Sequence, residues 1–402
     1  MGRISAERRT GPGGEEEVRP VPLPDPVTVD LRPPDAAESQ VLAEAVASAA
    51  AGREGLQVVQ RALIQALVPA MTGHEVTVPE QPAMTPSRLG EALARRDLMF
   101  RTRIVQTMVL CALVRHPIPD DVARDVAAFA AELGVHDGMV DVAREFASGS
   151  LELAAHDFRR NGYEGTWNEE ESAHVVHSTH VLHDAWAFST DDPELAAHWA
   201  ALEGLPADSL GRQVWELYQA RGFAYPGSPG SAPPLLCQHD WVHVLGEYGT
   251  TVESEVEVFG LIARANDDMH AFSLLAMVIS LFETGYLARG AGLFEASPGH
   301  FSSSPGMAVR LSDAMRRGAL CHDAETGSDS VDFLQMDWFA VADHSCEDLR
   351  ARFGLVPKAG AALAAGSVGP WQPGGISPFQ MRAGRELAAS RGLPYDAHGT
   401  SV

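Results

Sequence analysis

Apolar residues recur at intervals of three and four along much of this chain, in runs that glycine and proline interrupt. Residues 36–67 read AAESQVLAEAVASAAAGREGLQVVQRALIQAL, which continues the pattern across one glycine-containing break. Such spacing places the apolar side chains on one face of an α-helix. We find no run with the polar–apolar alternation that is typical of a half-buried strand. The sequence therefore predicts an all-α protein.

Changes in composition divide the 402 residues into four segments. Residues 1–35 combine proline, glycine, glutamate and arginine without an apolar pattern, which predicts a disordered or extended arm. Residues 36–160 predict a helical bundle, and residues 165–356 predict a second helical domain that binds metal. Residues 357–402 are rich in glycine, proline and alanine and predict a poorly structured tail. We expect two helical domains between disordered or extended termini.

Capping signals mark where several helices begin and end. Thr85 precedes a proline, a pair that predicts a helix start because proline fits the first turn. Ser209 is a candidate N-cap for a helix over residues 210–221, with Gly222 as its stop. Residues 331–340, VDFLQMDWFA, predict a further helix.

The formal net charge of −24 limits the partners of this chain. Such a surface is repelled by nucleic acids, so we expect no nucleic-acid partner. No apolar run reaches the ~18 residues that suggest a membrane span, and MGRISAERRTGPGGEEE lacks the apolar core of a secretory signal. We expect a cytoplasmic protein. The four cysteines show no paired spacing and predict reduced thiols: Cys111, Cys237, Cys321 and Cys346.

The segment CQHDWVHVLGEYGTTVESEVE, residues 237–257, concentrates the candidate metal ligands. In a helix over residues 235–246, His239 and His243 lie one turn apart on one face, and Asp240 borders that face. Helical metal sites such as HExxH use this spacing, because two imidazoles then reach one ion. The pattern indicates a metal site, with a chance cluster as the alternative.

A chain reversal is expected directly after these residues. Gly246, Gly249 and two threonines favour a turn. Thr250 with Glu253 fits a capping box, which predicts that a second helix begins near Val252.

Glu255 is the fourth candidate ligand. His243 and Glu255 lie at similar distances from the turn, so an antiparallel hairpin brings them together. Two imidazoles and two carboxylates suit zinc, ferrous iron or manganese. The other glutamates of the segment are expected to face solvent: Glu247, Glu253 and Glu257.

A second histidine-rich segment lies upstream and contains His174, His177, His180, His183 and Asp184. Each three-residue step turns the side chain by about 60° on an ideal helix. Four such histidines fan across roughly half of the circumference, so only neighbours, or His180 with Asp184, can share an ion. The spacing favours surface histidines.

His239-Asp240-x-x-His243, eleven further residues and then Glu255 resemble the HDxxH-x11-E motif of the ubiquinone (coenzyme Q) biosynthesis metal-protein family. Flanking segments are also similar to that family: LPADSLGRQVWELYQARGF before the motif, and AMRRG and DWFAVADHSCEDLRARFGL after it. The resemblance covers roughly residues 190–356. Upstream, an apolar helix, an acidic turn and a helix that ends in ELGV resemble the TerB-like helical domains of tellurite-resistance proteins, and a plain helical bundle predicts the same pattern.

The resemblance implies an all-helical protein that binds a divalent ion, commonly zinc, through the four motif residues. It also implies an apolar cavity for a prenylated ring and a role in quinone assembly, in which the ring carboxyl is lost and its carbon oxygenated. We therefore expect a metal-dependent enzyme that acts on a small hydrophobic or aromatic carboxylate, with a membrane surface or a biosynthetic complex as a candidate contact. The Ala/Gly/Arg-rich composition suggests a bacterium, in which a different quinone or a secondary metabolite is an alternative product.

Two arginines and three apolar residues are candidates for substrate binding. Arg316 or Arg317 could pair with a substrate carboxylate, and a salt bridge at a helix end is the alternative. Phe272, Met277 and Phe282 could line the apolar cavity, and core packing is the alternative.

Two other functional classes stay open. HD-type metal phosphohydrolases use a His-Asp pair, for which His183-Asp184 and His239-Asp240 are candidates. Two ions and turnover of a phosphate ester would support that class. A non-catalytic, metal-stabilised scaffold or lipid-binding component of a biosynthetic complex predicts instead a filled coordination sphere.

Overall fold

The computed structural model describes residues 29–115, 119–136, 192–229, 231, 237–266, 275, 278–279, 283 and 300–395. Over these residues the chain forms α-helices and no β-strand, so the predicted all-α class is confirmed. In chain order the helices are α1 (Ala36–Ala51), α2 (Val58–Thr72), α3 (Pro86–Ala92), α4 (Leu98–Leu113), α5 (Asp120–Glu132), α6 (Pro193–Ala201), α7 (Leu210–Arg221), α8 (Gln238–Gly246), α9 (Val252–Ala265), α10 (His300–Ser303), α11 (Met307–Ala319), α12 (Cys346–Arg352), α13 (Gly360–Ala364) and α14 (Pro378–Ser390). Short 3-10 turns occur at Leu202–Gly204 and Trp338–Val341.

Helix α1 lies at the centre of the N-terminal helices and packs against α2, α4 and α5. Its alanines make these close contacts possible, because Ala43, Ala47 and Ala50 are fully buried and leave little distance between the helix backbones. Helix α2 also packs against α11, and α11 in turn packs against α9, which carries part of the motif. The division into two domains stays a prediction.

The capping signals at Thr85 and Ser209 are confirmed. The Thr85 side chain accepts a hydrogen bond from the Arg88 N–H at the start of α3. Ser209 does the same for α7, which ends at Gly222 in the left-handed region with φ 68°. Glycine is favoured there because it lacks the Cβ that this conformation would crowd.

Helices α9 and α11 pack against each other extensively near the motif. The crossing depends on two glycines, one on each helix. A Cβ at Gly260 would lie 2.5 Å from the Leu311 Cδ1, and a Cβ at Gly318 would lie 2.2 Å from the Leu261 carbonyl oxygen. Helix α9 is therefore buried along most of its length.

The C-terminal segment is folded as far as residue 395, and the predicted tail is wrong over this stretch. Helix α14 begins with a capping box between Ser377 and Gln380. The fully buried Arg221 of α7 donates to the carbonyl oxygens of Pro370 and Gly375, at 2.9 Å and 3.1 Å. A glycine- and proline-rich loop without helical periodicity is thus ordered by main-chain contacts that local patterns do not encode.

The predicted helix over residues 331–340 is wrong for most of its length. Only the 3-10 turn Trp338–Val341 forms at its end. The side chain of Asp332 accepts hydrogen bonds from the N–H groups of Leu334 and Gln335, which stabilises a turn in place of a helix.

Several predictions fall outside the described residues. These are the arm up to residue 28, the histidine-rich segment with His174, His177, His180, His183 and Asp184, and the candidate cavity residues Phe272, Met277 and Phe282. In the described part of the chain, no helix combines the length and apolar character needed to cross a membrane. All four cysteines are buried and none forms a disulfide.

Candidate metal centre

Two neighbouring helices carry the motif residues. His239, Asp240 and His243 lie on α8, and Glu255 lies in the first turn of α9. The helices contact each other across a short turn that begins at Glu247, whose φ of 61° is left-handed. The predicted hairpin with a second helix from residue 252 is therefore present.

The four side chains lie close together, with Glu255 next to both histidines and Asp240 next to His239. The Glu255 carboxylate lies 3.2 Å from the Nε2 of His239 and 3.1 Å from the Nε2 of His243. The Asp240 Oδ1 lies 3.5 Å from the same Nε2 of His239. Ligand atoms of His239, Asp240 and His243 all lie within 4.8 Å of one another. His239, Asp240 and His243 thus form a cluster that could hold a metal ion, and the Glu255 carboxylate lies against both imidazoles.

The centre is buried from solvent. His243 is 0% exposed, Glu255 2%, His239 4% and Asp240 8%. Charged side chains at such depth are paired or bind metal ions, because burial of an isolated charge is costly.

A main-chain hydrogen bond orients His243. Its Nδ1 lies 2.7 Å from the carbonyl oxygen of Gly249. A carbonyl can only accept, so this Nδ1 carries the proton and the Nε2 of a neutral ring presents its lone pair to Glu255. A lone pair that faces a carboxylate is repulsive unless a proton or a metal ion lies between them. Metal-binding histidines commonly have their second ring nitrogen fixed in this way.

Two aromatic residues complete the surroundings of the centre. The Tyr218 hydroxyl of α7 donates to the Oδ2 of Asp240 at 2.6 Å, which leaves Oδ1 on the side of His239. The ring of Phe259 stacks on His239, with ring centroids 5.1 Å apart. One carboxylate and one imidazole are therefore held in fixed orientations.

The pKa values of the two carboxylates shift in opposite directions. Burial raises the pKa of Asp240, and the neighbouring histidines only partly offset that increase. Burial also acts to raise the pKa of Glu255, but His243 and His239 outweigh it and lower the pKa to about 2. Glu255 is therefore the more strongly anionic of the two groups.

The C-terminal loop holds the turn between α8 and α9. The Gly249 N–H donates to the Val368 carbonyl and the Thr250 N–H to the Gly375 carbonyl, both at 2.9 Å. A Cβ at Gly249 would lie 2.6 Å from the Gly375 Cα, so this contact requires glycine. The predicted capping box of Thr250 is wrong, because its hydroxyl donates to the Gln380 side chain at 2.8 Å and Thr251 is the N-cap.

The remaining glutamates of the segment differ in exposure. Glu247 is exposed, as predicted, and Glu253 is half-buried and accepts a hydrogen bond from the Ser304 hydroxyl at 3.0 Å. The prediction for Glu257 is wrong: it is 0% exposed, and its Oε2 lies 2.6 Å from the Nη2 of Arg310. Burial of α9 against α11 places Glu257 inside the protein.

The two candidate arginines bind protein groups. Arg317 is fully buried and donates to the carbonyl oxygens of Gly246 and Val356, both at 2.8 Å. Arg316 forms a salt bridge with Asp313 at 2.7 Å, as the alternative reading of a helix-end pair predicted. Binding of a substrate carboxylate by either residue stays a prediction.

Sequence reasoning did not identify Tyr218, Gly249 or Phe259 as parts of the centre. Tyr218 precedes Asp240 by 22 residues, so no local spacing connects them. Phe259 lies four residues after Glu255 on the same helix, a spacing that places both on one face. That four-residue spacing is the one signal in the sequence that connects Phe259 with the centre.

No protein-family model matches the sequence, and no curated protein and no solved structure matches it either. The similarity to the ubiquinone-biosynthesis family therefore stays a prediction.

Proposed function

We propose that this chain is a divalent-metal protein in which His239, Asp240, His243 and Glu255 bind one ion. The observation that carries the proposal is the convergence of their ligand atoms at 3.1–3.5 Å in a buried site. Two neutral imidazoles and two carboxylates carry a formal charge of −2, which a divalent cation neutralises.

Zinc fits the spacing of these atoms. Tetrahedral bonds of about 2.0–2.1 Å place neighbouring ligand atoms roughly 3.3–3.4 Å apart. The Oε2 of Glu255 lies 3.2 Å from the Nε2 of both histidines, and the Oδ1 of Asp240 lies 3.5 Å from the Nε2 of His239. Octahedral coordination at the same bond length would bring adjacent ligand atoms to roughly 2.9 Å. We therefore propose zinc, with ferrous iron and manganese as the alternatives that the donor atoms allow.

The competing arrangement contains no metal. If both histidines were protonated, two imidazolium rings would neutralise the two carboxylates through hydrogen bonds at the same distances. The two arrangements differ in bound metal, which elemental analysis of the purified protein measures directly.

The test compares the metal content of the wild-type protein with that of Glu255→Gln and His243→Ala. We expect about one ion per chain in the wild type and a loss of most of it in both variants, because each removes a ligand. His322→Ala is the matched control, since His322 is exposed and lies outside the centre. Stoichiometric metal in both ligand variants would show that the assignment is wrong.

We propose further that the metal centre serves an enzyme acting on an aromatic or prenylated carboxylate. The support is the resemblance of the motif and its flanking segments to the ubiquinone-biosynthesis family. A bound divalent ion would supply Lewis-acid polarisation of a substrate oxygen. The test is incubation of the metal-loaded protein with ring carboxylates of the quinone-precursor type, with release of carbon dioxide as the readout and Glu255→Gln as the inactive control.

A closed, structural metal centre is the second candidate, and the burial of all four ligands favours it. Structural zinc sites use four protein ligands, whereas catalytic sites keep one position for water or substrate. Substitution with cobalt(II) distinguishes the two. A visible spectrum that changes on addition of azide or a small carboxylate indicates an open position. A spectrum that stays unchanged, together with a lower unfolding midpoint after metal removal, supports the structural role.

The phosphohydrolase alternative receives less support. HD-type sites for two ions require a second group of ligands beside the first. Across the described residues, His239, Asp240 and His243 are the one cluster of this kind, and no second cluster adjoins it.

A further inference from the structure

Lys358 is the single lysine in a chain that otherwise uses arginine for its basic residues. It follows α12 and lies half-buried, with its Nζ 4.6 Å from the centre of the Tyr248 ring. Among the described residues, no carboxylate or carbonyl forms an ion pair or hydrogen bond with this ammonium group. A partly buried cation in this state is available for a ligand.

A cavity of about 390 Å³ lies beside Lys358. Its apolar walls include Leu363, Pro370 and Trp371, and its charged residues are Lys358, Arg350 and Glu247. The volume is within the range of pockets that bind small molecules, which combine apolar walls with a few placed polar groups. Exposed Leu363 and Glu247 line it, so the cavity is reached from solvent.

The cavity is separate from the proposed metal centre. None of the four motif residues lines it. Val244 of α8 does, so the cavity and the metal centre use different residues of the same helix.

The charged residues of the cavity favour a single negative charge. Arg350 donates from Nε to the Leu245 carbonyl at 2.8 Å and from Nη2 to the Val244 carbonyl at 3.1 Å, which fixes its guanidinium at the end of α8. Its Nη2 also lies 3.8 Å from the exposed Glu247 carboxylate. Two cations and one anion leave a net charge of +1. Burial lowers the pKa of Lys358 to about 8, so the amine still carries a proton at neutral pH.

Hydrogen bonds and a cation–π contact hold the apolar wall at Pro370 and Trp371 in place. The guanidinium of Arg221 lies 5.4 Å from the centre of the Trp371 ring and donates to the Pro370 carbonyl at 2.9 Å. The Gln372 side chain accepts a hydrogen bond from the Gly369 N–H at 2.7 Å. The loop over residues 369–372 is therefore preorganised, which lowers the entropic cost of ligand binding.

We propose that this cavity is a binding site for a small aromatic carboxylate. Its carboxylate would lie at the Lys358 ammonium, with the Arg350 guanidinium adding a second positive charge. Its ring would lie against the apolar wall formed by Trp371, Pro370 and Leu363. The proposal depends on neither the identity nor the presence of a metal ion.

The probe is 2-naphthoate, titrated calorimetrically into the wild type, Lys358→Met and Lys358→Arg. We expect the affinity to fall at least about tenfold in Lys358→Met, because a charge-assisted hydrogen bond is lost, and to be largely kept in Lys358→Arg. Trp371→Leu tests the apolar wall and should weaken naphthoate binding as well. The neutral analogue 2-naphthamide should bind more weakly than the acid.

A site-resolved readout follows from the single lysine. Reductive methylation labels Lys358 and the terminal amine, and peptide mass spectrometry separates the two. Bound naphthoate should protect Lys358 while the terminal amine reacts as before. The proposal is overturned if naphthoate does not bind, if it binds Lys358→Met as tightly as wild type, or if it leaves Lys358 unprotected.

Metal-centre variants keep the two proposals distinguishable. Glu255→Gln should keep naphthoate affinity, and Lys358→Met should keep its metal content. Loss of naphthoate binding in Glu255→Gln with normal binding in Lys358→Met would place the ligand at the metal centre and refute the cavity assignment. If the wild-type protein is purified without bound metal and still binds naphthoate, the metal proposal alone is overturned.

Discussion

The buried ion pair between Glu257 and Arg310 yields a quantitative prediction about stability. Glu257 is 0% exposed and Arg310 is 8% exposed, and one hydrogen bond of 2.6 Å joins them. In the described part of the chain, the Oε1 of Glu257 and the Nε of Arg310 have no partner. Glu257→Leu would leave the guanidinium buried without its counter-ion. Removal of one partner of a buried pair costs about 3–5 kcal/mol.

The geometry places this case at the lower end of that range. Arg310 keeps a small exposed fraction, so its guanidinium can regain some hydration when Glu257 is absent. We expect Glu257→Leu to lower the free energy of unfolding by about 3 kcal/mol. Because the pair uses only one of its two possible hydrogen bonds, it offsets its desolvation poorly. The double variant Glu257→Leu/Arg310→Met should therefore lie within about 1 kcal/mol of wild type.

Urea unfolding followed by circular dichroism at 222 nm measures both values. At a slope of roughly 3 kcal/mol/M, the single variant should lower the midpoint by about 1 M. Glu386→Leu is the matched control, since Glu386 is exposed on α14, and it should change stability by less than about 0.5 kcal/mol. The reasoning is refuted if the double variant loses as much stability as Glu257→Leu alone.

Three further predictions concern single residues. Gly318→Ala should lower the thermal midpoint, with a loss of about 1–3 kcal/mol, because its Cβ would lie 2.2 Å from the Leu261 carbonyl oxygen; an unchanged midpoint would contradict this close crossing. Tyr218→Phe should weaken metal affinity by roughly 10–100-fold in a chelator competition, and equal affinity would exclude a role in orienting the carboxylate ligand. Asp323 accepts two hydrogen bonds from Arg352, both at 3.0 Å, and that side chain lowers its pKa to about 2. The stability that this pair contributes is fully present above about pH 4 and is lost as the pH falls through 2. Asp323→Asn should therefore cost about 1 kcal/mol at pH 6 and clearly less at pH 2 in acid unfolding curves.

The sequence predicts the motif hairpin well because its information is local. The four-residue step between His239 and His243 defines one helix face. The eleven residues that follow contain the turn, and counting outward from it pairs His243 with Glu255. The structure brings these two side chains within 3.1 Å of each other, as that count predicts.

Long-range contacts explain what the sequence does not predict. Glu257 looks like a solvated helix residue until α11 supplies Arg310, 53 residues further along. The hydroxyl of Thr250 looks like a capping group until α14 supplies Gln380, 130 residues further along. In both cases the partner lies on another helix, and no periodic pattern within one segment reveals it.

The contact of Gly249 with Gly375 restricts the number of residues that can separate His243 from Glu255. The backbone at Gly249 is packed tightly, because even a methyl group on this residue would overlap the backbone of Gly375. One inserted residue would rotate Glu255 by about 100° around its helix axis and shift it by about 1.5 Å. A sequence that keeps HDxxH but has ten or twelve spacer residues would therefore aim its acidic group away from the imidazoles.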